Sequence, residues 1–97
     1  MEPTQENFEW TLKQVSRMAV LPGYPSGEHK DIAITEYVKF LVWLAREREA
    51  IEWTIDTAVR QEERCPPPVF LREILERRYW PSDRELLPGM PGYVAKE

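Results

Sequence analysis

"RCPPPVFLREILERRYW", residues 64–80, is the stretch on which the fold turns. A charged run meets three consecutive prolines and resumes as an apolar and basic segment. Pro66 has no amide donor and pushes Cys65 away from helical geometry, so a helix arriving from the N-terminal side must finish near Arg64. Pro67 or Pro68 can occupy the first turn of the next helix, where a missing N–H costs nothing. Over residues 68–79 the spacing then puts Phe70, Leu71, Ile74 and Leu75 on a buried face, with Arg72, Arg77 and Arg78 on the others. The triproline reads as a rigid corner between two helices.

The same punctuation organises the rest of the chain. All nine prolines and four glycines fall at Pro3, residues 22–27, residues 66–68, Pro81 and residues 88–92. The stretches between them carry no helix breaker, the pattern of an all-α protein. A first helix is expected over residues 4–20, with Thr4 as N-cap, Glu6 in the first turn and Glu9 paired with Lys13. Its inward stripe is Phe8, Leu12, Val15 and Ala19. The loop "LPGYPSGEHK" follows, and Asp31 is placed as the N-cap of a second helix. There Ile34, Tyr37, Val38, Leu41, Leu44 and Ala45 form a stripe that Ile32, Phe40, Val42 and Trp43 widen almost all round. Such a helix belongs at the centre of a bundle or against a partner.

No Gly or Pro interrupts residues 31–64, but one helix of about 34 residues would be exceptional in a domain this small. The charges of Arg46, Glu47, Arg48 and Glu49 break the stripe for a full turn and mark a tight connection. A third helix then turns Ile51, Ile55, Ala58 and Val59 inward and carries an outward Asp56–Arg60 pair. The expected fold is all-α: a small bundle of four helices with a Pro-rich corner and an irregular C-terminal tail. Residues 1–80 form the helical domain and residues 81–97 the tail. Leu86, Leu87, Met90, Tyr93 and Val94 are too many apolar residues for a spacer, so the tail either packs on the bundle or orders on a partner.

At 97 residues there is room for one domain, and 42% hydrophobic with 31% charged residues rules out wholesale disorder. A net charge of −4 disfavours nucleic acid as the main ligand, because neutralising phosphates needs a basic surface. Cys65 stands alone, so no internal disulfide forms. The acidic start "MEPTQENFEW" does not resemble a signal peptide, and no apolar run approaches the ~20 residues of a membrane span. The expectation is a soluble, cytoplasmic protein without a membrane role.

The inventory for chemistry is thin. His29, the single histidine, lies in a Gly/Pro loop far in sequence from Cys65, and the pair with generic carboxylates makes no metal pattern. Glu47/Glu49 and Glu62/Glu63 sit among arginines on a solvated face rather than in a cleft that would split their pKa values. There is no phosphate-binding glycine loop and no common nucleophile motif. No enzyme activity, cofactor or metal is expected. The aromatics are more informative: Trp10 lies off the main face of the first helix, and Trp80 lies past the end of the fourth. Trp and Arg are enriched at interface hot spots. Trp10, Arg77, Arg78 and Trp80 are therefore candidate partner-binding residues, though a core role suits each tryptophan as well. An Arg72/Arg77/Arg78 patch facing nucleic acid is offset by Glu73 and Glu76 on the same helix, with Glu73 and Arg77 one turn apart.

Four pieces occur in a particular order: "GYP" at 23–25, "EYVKFLVWLA" at 36–45, "AIEWTIDTAVRQEERCPP" at 50–67 and "LREI" at 71–74. Together, over roughly residues 8–78, they resemble the N-terminal helical domain of phage replicative-helicase loader/inhibitor proteins. Cys65 departs from that pattern, standing where the family has an aromatic or larger apolar residue. The resemblance implies a non-enzymatic adaptor that binds a hexameric replicative helicase, restrains it and delivers it during DNA replication. The contacts are divided between the folded part and the tail, with Leu86, Leu87, Met90 and Tyr93 as anchors in the latter. Two other classes stand beside it: a protein-interaction or homodimerising helical module without a replication role, and a small regulator touching DNA through the fourth helix. Either a monomer or a homodimer fits the residues.

Overall fold

The computed structural model describes residues 1–95, so Lys96 and Glu97 of the expected tail lie outside the described residues. Four α-helices follow one another: α1 Gln5–Ser16, α2 Lys30–Leu44, α3 Arg48–Gln61 and α4 Pro68–Glu76, with a 3-10 turn Arg17–Val20 after α1 and no strand among the described residues. The all-α bundle expected from the proline spacing is what the chain forms. α1 packs along α2, α3 packs along α4, and α1 and α4 also touch α3 and α2 respectively.

Thr4 caps α1, its Oγ1 accepting the Asn7 amide at 3.1 Å. The helix then tightens at Arg17, four residues earlier than the expected continuous helix to Val20. Its buried face is Thr11, Val15 and Met18, with Phe8 half-buried; Leu12 and Ala19, assigned inward from the sequence, are exposed. The face is rotated because Met18 and Leu21 enter the core from the 3-10 turn, where three residues rather than 3.6 complete a turn. The Asp31 cap is also corrected. α2 starts two residues earlier, at Lys30 with His29 in the cap position, and no side chain of that cap bonds the first turn. Asp31 sits within that turn, where its charge still complements the macrodipole.

α2 is the centre of the core: Tyr37, Val38, Phe40, Leu41, Val42 and Leu44 are buried along it. It ends where the charged run begins. Ala45 turns extended, Glu47 is extended too, and α3 starts at Arg48, so α2 and α3 are separate helices. α3 buries Ala50, Ile51, Thr54, Ile55, Thr57 and Ala58, with Val59 half-buried. Thr54 tolerates burial by donating its hydroxyl to the Ala50 carbonyl at 2.7 Å. α3 stops at Gln61, three residues before Arg64, because the Cys65 amide donates to the Pro22 carbonyl at 2.8 Å and draws the chain toward the α1–α2 loop.

The triproline turns the corner as its chemistry requires. Pro67 is extended at the cap position, Pro68 is the first residue of α4, and Leu71, Ile74 and Leu75 are buried. Tyr37 anchors this corner to α2, its hydroxyl donating to the buried Pro66 carbonyl at 2.6 Å. α4 ends at Glu76, and a turn in which the Arg77, Arg78 and Tyr79 amides return to Ile74 and Leu75 carries the chain on to Tyr79. The surface ion pairs differ from those read along single helices. Asp56 meets Arg17 across the bundle instead of Arg60, and Arg72 pairs with Glu76 instead of Glu73 with Arg77. The Glu9 carboxylate accepts from Gln5 Nε2 at 3.0 Å and makes no ion pair with Lys13. Exposed charges three or four residues apart are interchangeable by a few tenths of a kcal/mol, so small shifts in geometry decide among them.

Candidate protein-docking corner and tail

Beyond Trp80 the chain turns back over the end of α2. Ser82 caps that helix twice, its amide donating to the Leu44 carbonyl at 2.7 Å and its hydroxyl to the Trp43 carbonyl at 2.6 Å. The Met1 ammonium donates to the Val42 and Ala45 carbonyls. The last carbonyls of α2, which no intrahelical amide can reach, are thus satisfied by the two ends of the chain, and the cation lies at the negative end of the macrodipole. Burial and the nearby Arg84 push the Met1 amino group below its usual pKa.

Further along, Arg46 Nε holds the Pro81 carbonyl at 3.0 Å and its Nη2 pairs with Asp83 at 2.9 Å. Trp43 Nε1 donates to the Glu85 carbonyl at 3.0 Å, and the Arg84 guanidinium lies over the Trp43 ring, 5.1 Å from its centre. Arg84 Nη1 is buried without a conventional acceptor, and the indole face takes that role. Of the two fates open to the tail, residues 81–86 take packing. The radius of gyration, 12.8 Å, agrees with the ~12.5 Å of a compact chain this long.

The candidate residues separate into three places. Trp10 is half-buried against the core with the Arg48 guanidinium 5.1 Å above its ring. Arg48 is held there by Asn7 Oδ1, at 3.1 Å from Nε and 3.0 Å from Nη2. Leu86 packs against the core, and with Tyr93, Arg72 and Arg84 it lines a shallow hollow; Met90 is half-buried, while Leu87 and Tyr93 are more exposed. Arg77, Arg78 and Trp80 come together with Glu76 and Tyr79 in a recess after α4.

This third group is the unusual one. Trp80 is 86% exposed, the barest large hydrophobic residue of the described chain. Its neighbours hold it so. Tyr79 packs its ring on Trp53, centroids 5.8 Å apart, and Pro81 is gripped by Arg46, so the residue between them has nowhere inward to turn. Arg78 lies over both Trp53 and Tyr79, 5.6 and 5.7 Å from the ring centres. The ion pairs of the described residues use Arg17, Arg46, Arg48 and Arg72, which leaves Arg77 and Arg78 outside them. Tyr79 is pushed above its usual pKa by desolvation and by Glu49, and stays a neutral phenol. The aromatic bed under this corner was not legible in the sequence. Trp53 and Tyr79 are 26 positions apart, and no spacing rule links them before α3 and α4 pack.

No three His, Cys, Asp or Glu residues converge as a metal cluster among the described residues, and no helix is long and apolar enough to cross a membrane. Burial raises the half-buried Cys65 thiol above its usual pKa, and its sulfur lies 3.8 Å from the Tyr37 hydroxyl. Comparison with protein-family models, with curated proteins and with solved structures gives no match to this chain.

Proposed function

We propose that the protein is a non-enzymatic adaptor that works by binding another protein through the corner formed by Arg77, Arg78 and Trp80. The observation that carries this reading is the bare indole of Trp80, clamped between two pinned residues and flanked by two arginines outside the ion pairs of the described residues. A large apolar group left in water costs the folded chain hydrophobic free energy that burial in a partner recovers. At ~25 cal/mol per Å² and ~150–250 Å² for an aromatic side chain, the gross gain is about 4–6 kcal/mol. Pre-organisation lowers the entropy lost on docking, so more of that gain survives as affinity. Arg77 and Arg78 then select a surface bearing carboxylates.

The order of the helices and the Pro-Pro corner, similar to phage helicase loaders, names a hexameric replicative helicase as the first partner to test. In this reading residues 81–95 brace the docking corner, with Leu87 and Tyr93 left at the surface as further contacts. The test is direct binding of the full chain to a purified hexameric replicative helicase. Trp80→Ala should weaken it by about 2 kcal/mol or more, roughly 30-fold, as for an interface hot spot. It should leave the melting temperature within about 4 °C, since a bare side chain contributes little to folding. Binding that is absent, or that Trp80→Ala and Arg77→Glu leave untouched, would refute the reading.

A further inference from the structure

A second unpartnered surface lies between α1 and α2. Phe8, Leu12 and Val38 floor an open apolar groove of about 280 Å³. Leu12 is 43% exposed, although it was expected in the core. Past Thr35 and Lys39, which line both depressions, the same face continues to Ile32, 62% exposed. Its rim is acidic. Glu9 borders the groove, and Asp31 and Glu36 border the extension, with Lys39 the one cation lining either depression. Among the described residues none of the three carboxylates is in an ion pair, and Glu9 accepts a hydrogen bond from Gln5.

An apolar slot edged with carboxylates outside those ion pairs calls for an apolar anchor flanked by cations, and this chain carries one in the Arg77–Arg78–Trp80 corner. The two surfaces share no residue. Arg77 and Arg78 line the corner with one carboxylate, Glu76, which Arg72 already pairs, whereas three carboxylates and one lysine line the groove and its extension, a contrast that favours contact between unlike faces over contact between like ones. We propose that the α1/α2 groove receives the Trp80 corner of a second copy of this chain. Trp80 enters between Phe8 and Leu12, and Arg77 and Arg78 face Glu9 and Glu36. Such a contact is heterologous, because each copy keeps one groove and one corner free, so association grows head to tail or closes into a ring. It rests on the reading of the corner as a protein contact and supplies a partner of stated chemistry for it. The interface is small, and its dissociation constant belongs in the micromolar range.

Sedimentation velocity of the full chain from about 10 µM to about 1 mM tests this. The wild type should sediment faster as concentration rises, and less so at high salt. Trp80→Ala and Leu12→Glu should each be monomeric throughout. Their equimolar mixture should form a 1:1 dimer and nothing larger, because one variant keeps an intact groove and the other an intact corner. Glu9→Arg with Glu36→Arg, which changes only exposed charges, should weaken wild-type association at least tenfold while melting as the wild type does. A wild type that stays monomeric at the highest concentration overturns the proposal. So does a Trp80→Ala chain that still associates, or a mixture that stays monomeric, which would mean that groove and corner do not meet. A monomeric wild type together with helicase binding lost in Trp80→Ala would overturn the self-contact alone and leave the adaptor reading standing.

Discussion

Tyr37→Phe removes one oxygen atom, and the structure says what that atom does. The hydroxyl donates to the Pro66 carbonyl at 2.6 Å, with the Cys65 sulfur 3.8 Å away, and both Tyr37 and Pro66 are buried. Pro66 has no amide, so this carbonyl is its only hydrogen-bonding group, and in the variant it keeps only the weak donor of the Cys65 thiol, 3.9 Å away. Losing the bond and leaving a buried acceptor to a weak thiol donor costs about 2 kcal/mol, the middle of the range for a buried, poorly satisfied group. For a domain near 100 residues that lowers the melting temperature by roughly 8–16 °C. Far-UV circular dichroism during thermal and urea unfolding measures it, and the urea slope should stay constant because the surface exposed on unfolding is unchanged. There is a second signature. Desolvation, reinforced by Cys65, raises the Tyr37 pKa in the fold, so above about pH 10 the unfolded chain releases this proton more readily than the native one. The stability held below the unfolded pKa is therefore lost as pH rises through the folded value. Tyr37→Phe should be less stable than wild type at neutral pH yet lose less on going alkaline. A cost below about 0.5 kcal/mol, or an unchanged alkaline slope, would refute the view that this bond anchors the proline corner.

Two further outcomes follow from buried and capping groups. Thr11 Oγ1 is buried with no partner, so Thr11→Val removes an unsatisfied hydroxyl at nearly constant volume and should raise stability by about 0.5–1.5 kcal/mol; a destabilised variant would show that the hydroxyl is satisfied after all. Ser82→Ala deletes the hydroxyl bond to the Trp43 carbonyl and should cost about 1 kcal/mol, with faster exchange of the Leu44 and Ala45 amides by hydrogen–deuterium measurement. No change in either would mean that the Ser82 hydroxyl contributes nothing to the end of α2.

How far residues alone can be read depends on the range of the physics involved. A proline acts on its own amide and its immediate neighbour, so the Pro68 start of α4 and the all-α class follow from local covalent chemistry. The α2–α3 break follows from a charged turn between two apolar runs. The same holds for the Thr4 cap, whose side chain reaches only three residues. The buried face of α1 was misjudged by about one position, because Phe8, Leu12 and Val15 make a good stripe in isolation and only the 3-10 turn at Arg17 selects Thr11, Val15 and Met18 instead. The end of α3 also moved, since Cys65 bonds to Pro22, 43 positions away.

The docking corner divides in the same manner. Trp80, Arg77 and Arg78 can be singled out by residue type and by their place beyond α4. That Trp80 stays bare while Trp10 is covered depends on Arg46 gripping Pro81, on Tyr79 meeting Trp53 and on Arg48 lying over Trp10. Those contacts join residues dozens of positions apart, and they exist only once the chain has closed on itself. Local backbone chemistry writes the helices and their corner. Packing between distant segments decides which side chains are left for a partner, because exposure belongs to the assembled surface and to no residue by itself.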